Sequence, residues 1–529
     1  MTEHRVGIRL LAATVALAAV LAACSSAGTG SSMQPGAPVG ATAAATSATG
    51  TGTTPPTDRR SSTRGVRVAR PSVSAPITGG RQGQPFNAMP RTLAEEHGYL
   101  EEEYFISGEA TAYATTGSPS ADGVWSVRAT TRAPYTTRLL VRRPADASRF
   151  DGTVLVEWLN VSSGQDSDVE FAQVHEELMA HGTVWVGVSA QSVGIVGGTS
   201  MAMPGLHPSP LQDWDPVRYA PLSHPGDDYS YDMFSQAAAA LLDPHGADPL
   251  APTPPRALIA AGESQSAARM VTYVDAVHPE ADIYDGFLIH SRSDGGAALQ
   301  TGTALPRPTR IRGDLRVPVF QFETETDLLG LPFIDARQPD TDQLRTWEVT
   351  GTSHLDRHLL DYLRDAADPD GRTGQPRSAP QTVADPITSE CGPINDGPQA
   401  AVLSKAVSDL RAWVAGGARP SAGPAIAVSD GAIARDAHGI ALGGIRTPPV
   451  DVPLAELRGD NSVAGTYVCS LFGSTKAFDG AALVRLYPDR SAYVEAVGRS
   501  ARSAVDGGHL LEADADAFVD GARHEPRLP

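Results

Sequence analysis

Cysteine is almost missing from this chain: Cys24, Cys391 and Cys469 are the only three. That excludes a disulfide-dense scaffold and a cysteine-built zinc module. Positive charge is also short, with 42 Lys and Arg against 61 Asp and Glu, a formal net charge of −19. Nothing resembling a basic stripe remains to neutralise phosphates, so a nucleic-acid partner is not expected. The acidity is spread along the chain and reads as solubility. Long apolar runs are lacking too. The one candidate, Leu10 to Ala23, is shorter than the roughly 20 residues that span a bilayer. No repeat at a solenoid or propeller period occurs.

What that apolar run does offer is an export signal. Basic residues precede it (His4, Arg5, Arg9) and small residues end it. Its end, Leu21-Ala22-Ala23-Cys24, resembles the bacterial lipobox, in which the Cys becomes the acylated first residue of the mature protein. Residues 1–23 are therefore expected to be a lipoprotein signal peptide. Cys24 is expected to carry lipid and to hold the protein on the outer face of a bacterial cell membrane, its only contact with membrane. Residues 24–75 are Gly, Ser, Thr, Ala and Pro with almost no large apolar side chain. Such a segment cannot offset its ordering entropy and is expected to be a tether. Residues 76–529 remain for one catalytic domain, with a C-terminal extension from about 380 packed on the core. Export also places Cys391 and Cys469 where a disulfide between them would persist.

Within 76–529, strand-like runs fall at Tyr104–Tyr113, Thr136–Val141, Thr153–Leu159, Thr183–Ser189, Ala257–Ala261, Gly286–His290, Val317–Phe322 and Thr346–Val349. Several are apolar throughout, as strands covered on both faces are. Helical patterns lie between them. One is expected to open on a capping box, Ser167 with Glu170, to carry Phe171, Val174 and Leu178 on one face, and to stop at Gly182. Others run from Tyr229 to Leu242, from Gln265 to about Val277 and from Gln399 to Ala415. This order predicts an α/β fold with a mostly parallel central sheet, an antiparallel start and helices on both faces.

The segment richest in chemistry is Gly262-Glu263-Ser264-Gln265-Ser266, set between an apolar strand and a helix. This is the context of a nucleophile elbow, where a small residue two before the Ser leaves room for a strained turn. The second glycine of the usual pattern is Ser266 here, which predicts a slightly loosened elbow. A serine hydroxyl needs a base, and His354 follows the last strand, where the sheet would deliver it to Ser264. His290, at the end of an earlier strand, reads as structural or pocket-lining. The orienting acid should follow the strand Val317–Phe322, where Glu323, Glu325 and Asp327 stand. Asp327 is preferred because the acid comes several residues past the strand; Glu325 is the runner-up. Ser, acid, His is the chain order of α/β-hydrolases, unlike that of chymotrypsin or subtilisin. For the oxyanion, the N–H of Gln265 and that of Val161 or Ser162 are the candidate donors. A competing reading takes His354, His358 and Asp356 as a metal site, but a third ligand pattern is lacking. The loop from Gln191 to Asp228 is expected to cover the pocket.

At this point the sequence resembles the family known only as alpha/beta hydrolase domain. The resemblance rests on Tyr99 to Gly108, Val154 to Gly164, Leu222 to Tyr231, the Gly262 to Ser266 elbow, Gly351 to His354 and Gly443 to Pro448. It implies a hydrolase acting on a small-molecule ester, with no cofactor, and names no substrate. An envelope acyltransferase on the same scaffold and a noncatalytic binding lipoprotein are the alternatives.

Overall fold

The computed structural model describes residues 67–199, 201, 207–367, 386–461 and 466–528. The signal, the lipobox Cys24 and most of the tether lie outside them. Ten strands form one sheet: β1 (Ser72–Val73), β2 (Tyr99–Thr115), β3 (Val127–Pro144), β4 (Thr153–Trp158), β5 (Val184–Val188), β6 (His245–Gly246), β7 (Ala257–Glu263), β8 (Gly286–His290), β9 (Val319–Thr324) and β10 (Leu344–Val349). Their order is β10-β9-β8-β7-β4-β5-β3-β2-β1-β6. From β10 to β5 every pairing is parallel, and β3 joins β5 antiparallel. The fold is that of the α/β-hydrolases. One boundary moves: Ser72 and Val73, assigned to the tether on composition, pair with Ser107 and Ile106 of β2.

The parallel strands are buried along nearly their whole length because alternation feeds two cores at once. In β4, Val154, Val156 and Trp158 enter one core, and Leu155 enters the other. In β7, Leu258 and Ala260 face the first core, Ile259 and Ala261 the second. The second core is covered by α1 (Val169–His181), through Phe171, Val174 and Leu178. The first is covered by α2 (Ser230–Leu242) and α3 (Gln265–Thr272), which contribute Phe234, Ala238, Met270 and Val271. Helix α4 (Glu325–Gly330) follows β9 directly. Helix α5 (Gln399–Val414) returns from the C-terminal extension to lay Val402, Leu403 and Leu410 on the second core. Helices α6 (Arg490–Asp506) and α7 (Glu512–Arg523) pack on each other around Val497, Ala501 and Ala522. The extension is thus part of the sheet's cover.

The expected capping box at α1 does not form. Asp168 is the N-cap residue and makes no side-chain cap bond. The carboxylate of Glu157, from the neighbouring β4, accepts the N–H groups of Glu170 and Phe171 instead. A strand carboxylate at the helix N-terminus satisfies the same orphan donors and frees Glu170 for another partner.

Candidate active site

The site assembles where β4, β7, β8, β9 and β10 end. Ser264 sits between β7 and α3 at φ 57° and ψ −115°, a left-handed conformation that a serine adopts only under constraint. Gly262 makes that turn sterically feasible. A Cβ there would lie 2.8 Å from the Ser266 carbonyl oxygen and 3.0 Å from Met270 Cγ. The tight approach therefore falls on Gly262, and the fully buried Ser266 does not open the turn.

Ser264 Oγ and His354 Nε2 are 2.8 Å apart, in hydrogen-bond geometry. On the ring's other side, Nδ1 donates to Asp327 Oδ1 at 2.7 Å. Asp327 is the third residue of α4, and its second oxygen is already held by the Thr324 N–H and hydroxyl, both at 2.7 Å. This is a capping box, Thr324 with Asp327, in which the helix cap also aims the free oxygen at histidine. The pattern Thr-x-x-Asp is legible at 324–327 and would have favoured Asp327 without any appeal to loop length. Glu325 faces away and accepts the N–H of Gly351 and the guanidinium of Arg435. Glu323 remains inside β9, wholly buried. Thr326 Oγ1 accepts the backbone N–H of His354 and donates to the Gly459 carbonyl, fixing the histidine loop against the extension.

Electrostatics around the histidine are strong because His354, Asp327 and Glu263 are all buried. Burial disfavours charge on His354, but Glu263 and Asp327 outweigh it and raise its pKa. Burial likewise opposes ionisation of Asp327, but His354 and Thr324 outweigh it and hold the carboxyl below its usual range. Burial, reinforced by the neighbouring Asp327 charge, pushes the Glu323 carboxyl well above its usual range.

The oxyanion candidates separate cleanly. Ser162 N–H donates to Asn160 Oδ1 at 2.8 Å and is not free. Val161 N–H has no partner among the described residues, and Gln265 N–H opens α3, where the helix itself offers none. Of the two turn residues, Val161 is the one whose N–H is not engaged by another described residue. Its turn is closed by the backbone pair Asn160 and Ser167, and Asp166 within that loop accepts Arg138 Nη2 at 2.9 Å and the Ser189 hydroxyl. A Cβ on Gly194 would lie 3.3 Å from Val161 and would collide with Asp166, so the covering loop closes on this turn only with glycine there.

Two sequence candidates go elsewhere. His358 stacks on His175, and Asp356 accepts from Gln173 and from the Leu359 N–H. They do not join His354, and among the described residues no group of three or more His, Cys, Asp or Glu is arranged to hold a metal ion. His290 lies fully buried, 3.4 Å from Glu170. The described part of the 191–228 loop forms a small core of its own through Ile195, Leu211, Tyr219 and Leu222, and at its start Gln191 Oε1 accepts from Gln265 Nε2 at 2.9 Å. Met201 does reach it, donating its N–H to the Ser162 carbonyl. A cavity of about 310 Å³ opens beyond Thr326, beside Leu329, Arg435 and Tyr467, and neither Ser264 nor His354 lines it.

Residues 73–520 match the family described as alpha/beta hydrolase domain. The chain belongs to that family. Among solved structures, this family member is similar to a lid-less α/β serine hydrolase from Xanthomonas campestris, at 15% identity and a TM-score of 0.23, over 51% of this chain and 97% of that one. It is also similar to the ferulic-acid-bound Est1E of Butyrivibrio proteoclasticus, at 11% identity and a TM-score of 0.25, over 46% and 96%. Fungal esterases of Rhizomucor miehei match at 11% identity and a TM-score of 0.24, over 50% and 83%. Likenesses this distant say nothing of the substrate. No curated protein matches the sequence.

Proposed function

We propose that the protein is a serine hydrolase of carboxylic esters. The observation that carries this reading is the continuous chain from Ser264 Oγ through His354 to Asp327, with contacts of 2.8 and 2.7 Å, at a strained strand-to-helix turn. His354 Nε2 takes the Oγ proton as Oγ attacks the ester carbonyl. The N–H groups of Gln265 and Val161 receive the developing oxyanion. The imidazolium then protonates the departing alkoxide, leaving an acyl-enzyme. Water, deprotonated by the same histidine, releases the acid. Asp327 keeps Nδ1 protonated, so Nε2 faces Ser264 as an acceptor. Every step uses groups of this chain.

The test is an active-site fluorophosphonate probe together with a short-chain chromogenic ester. Wild-type protein is expected to be labelled at Ser264 and to turn the ester over, and Ser264→Ala to do neither while keeping its circular dichroism spectrum. Labelling that persists in Ser264→Ala, or is absent from the wild type, overturns the proposal.

A further inference from the structure

The residue before the nucleophile has a place in the site that the hydrogen-bond chain above does not use. Glu263 ends β7, where it pairs in register with His290 of β8, and it is 2% exposed. Paired residues of parallel neighbours point to one face, here the face covered by α1. One carboxylate oxygen, Oε2, accepts the side-chain N–H of Asn160 at 3.0 Å. Asn160 in turn holds the Ser162 N–H, and so the turn that carries Val161. The other oxygen, Oε1, lies 3.2 Å from His354 Nε2 and makes no hydrogen bond among the described residues. The same nitrogen therefore faces two oxygens: Ser264 Oγ, in hydrogen-bond geometry at 2.8 Å, and Glu263 Oε1, close but unbonded.

A buried acceptor without a donor is costly, and it is retained here beside an atom that acquires a proton only during the reaction. On the reading of Ser264 and His354 given above, we propose that Glu263 is a positioning residue for the base: Oε1 accepts the Nε2–H of the His354 imidazolium whenever that proton is not shared with Ser264 or the leaving group. No bond to carbon forms or breaks at Glu263. The proton passes from Oγ to Nε2 and on to the departing oxygen, and Glu263 holds the charged ring between two carboxylates, its own on the Nε2 side and Asp327 on the Nδ1 side. The Asn160 contact ties the same side chain to the oxyanion turn, so base and oxyanion donors are set by one group.

The groups facing Glu263 are His354 from the loop after β10, His290 from β8, Glu170 from α1, Asp327 from α4 and Asn160 from the turn after β4. Burial, partly offset by His354 and His290, pushes the Glu263 carboxyl up to about 7. Glu263 then titrates beside a ring whose own pKa it helps to raise, and the acid limb of kcat/KM reports both groups. An ionised Glu263 stabilises the protonated ring. Removing that charge lowers the ring's pKa and moves the acid limb to lower pH.

The experiment is the pH profile of kcat/KM for full-length Glu263→Gln and Glu263→Asp, beside ring titration of His354 by nuclear magnetic resonance in Ser264→Ala and in Ser264→Ala/Glu263→Gln. In Glu263→Gln the limb and the ring titration are expected to shift down by about one pH unit, a roughly tenfold loss of proton affinity, with at least a tenfold lower plateau kcat. Glu263→Asp, which keeps the charge but draws it back by one methylene, is expected to shift in the same direction by less, and it carries the test should the glutamine variant not fold. A limb and a titration unmoved in both variants overturn the proposal and leave Glu263 a support for Asn160. The ring titration needs no turnover, so failure of the hydrolase reading would show in the fluorophosphonate experiment and not here.

Discussion

Glu325 and Asp327 stand two residues apart in one helix turn, and their environments give them different work. Asp327 is held by Thr324 on one oxygen and by His354 on the other. Glu325 joins the Gly351 N–H, at the start of the histidine loop, to the Gly459 N–H and Arg435 of the extension. Asp327→Asn keeps the Thr324 acceptor but lets the ring adopt the wrong tautomer, a loss of about 10⁴ in turnover in a serine protease. Turnover is expected to fall by orders of magnitude with the thermal midpoint little changed. Glu325→Gln should do the reverse, since it weakens an ion pair and leaves His354 oriented. Steady-state kinetics and calorimetry on both variants check this. Sequence alone named both residues but ranked them on loop length; the reason lies in a two-residue cap, Thr324 with Asp327, that a local pattern does contain.

Among the elements, two short helices of the C-terminal extension bear on the site from outside the sheet. Cys391 ends the helix Pro386–Cys391 and Cys469 lies in the helix Tyr467–Leu471; they form a disulfide with a Cα–Cα distance of 5.1 Å. The second helix accepts the Leu355 N–H at the Leu471 carbonyl, one residue after His354. Asn461 adds a bond to the Cys391 carbonyl. The cross-link spans 78 residues, a closure whose entropic worth is about 4 kcal/mol in the unfolded-chain account. Cys391→Ser/Cys469→Ser is expected to lose stability of that order in denaturant titration and to turn over more slowly, because the histidine loop rests on this segment. Unchanged stability would show that the extension holds its place by packing alone. The element that departed from expectation, the start of α1, did so for a tertiary reason. Glu157 comes from β4, and only the packing of α1 on that strand brings its carboxylate to the helix start.

At the scale of the whole molecule, no helix among the described residues is long and apolar enough to cross a membrane. We propose that residence at a membrane rests on acylation at Cys24. Mass spectrometry of the mature N-terminus is expected to find an acylated Cys24, and an N-terminus elsewhere or an unmodified Cys removes the anchor. The linear order of apolar runs was enough to determine the sheet's class and most strand positions. A strand covered on both faces must be apolar throughout, and that pattern is local. The elbow Gly262 to Ser266 was equally legible, because its strain has to be relieved by small residues within a few positions. What the chain order could not contain is which polar groups meet once the sheet closes. The approach of Glu263 to His354 joins the end of β7 to the loop after β10, and the carboxylate at α1 reaches the helix only once α1 packs on β4. Both are decided by burial, because a polar group taken out of bulk solvent gains most from a partner that only the folded chain brings to it.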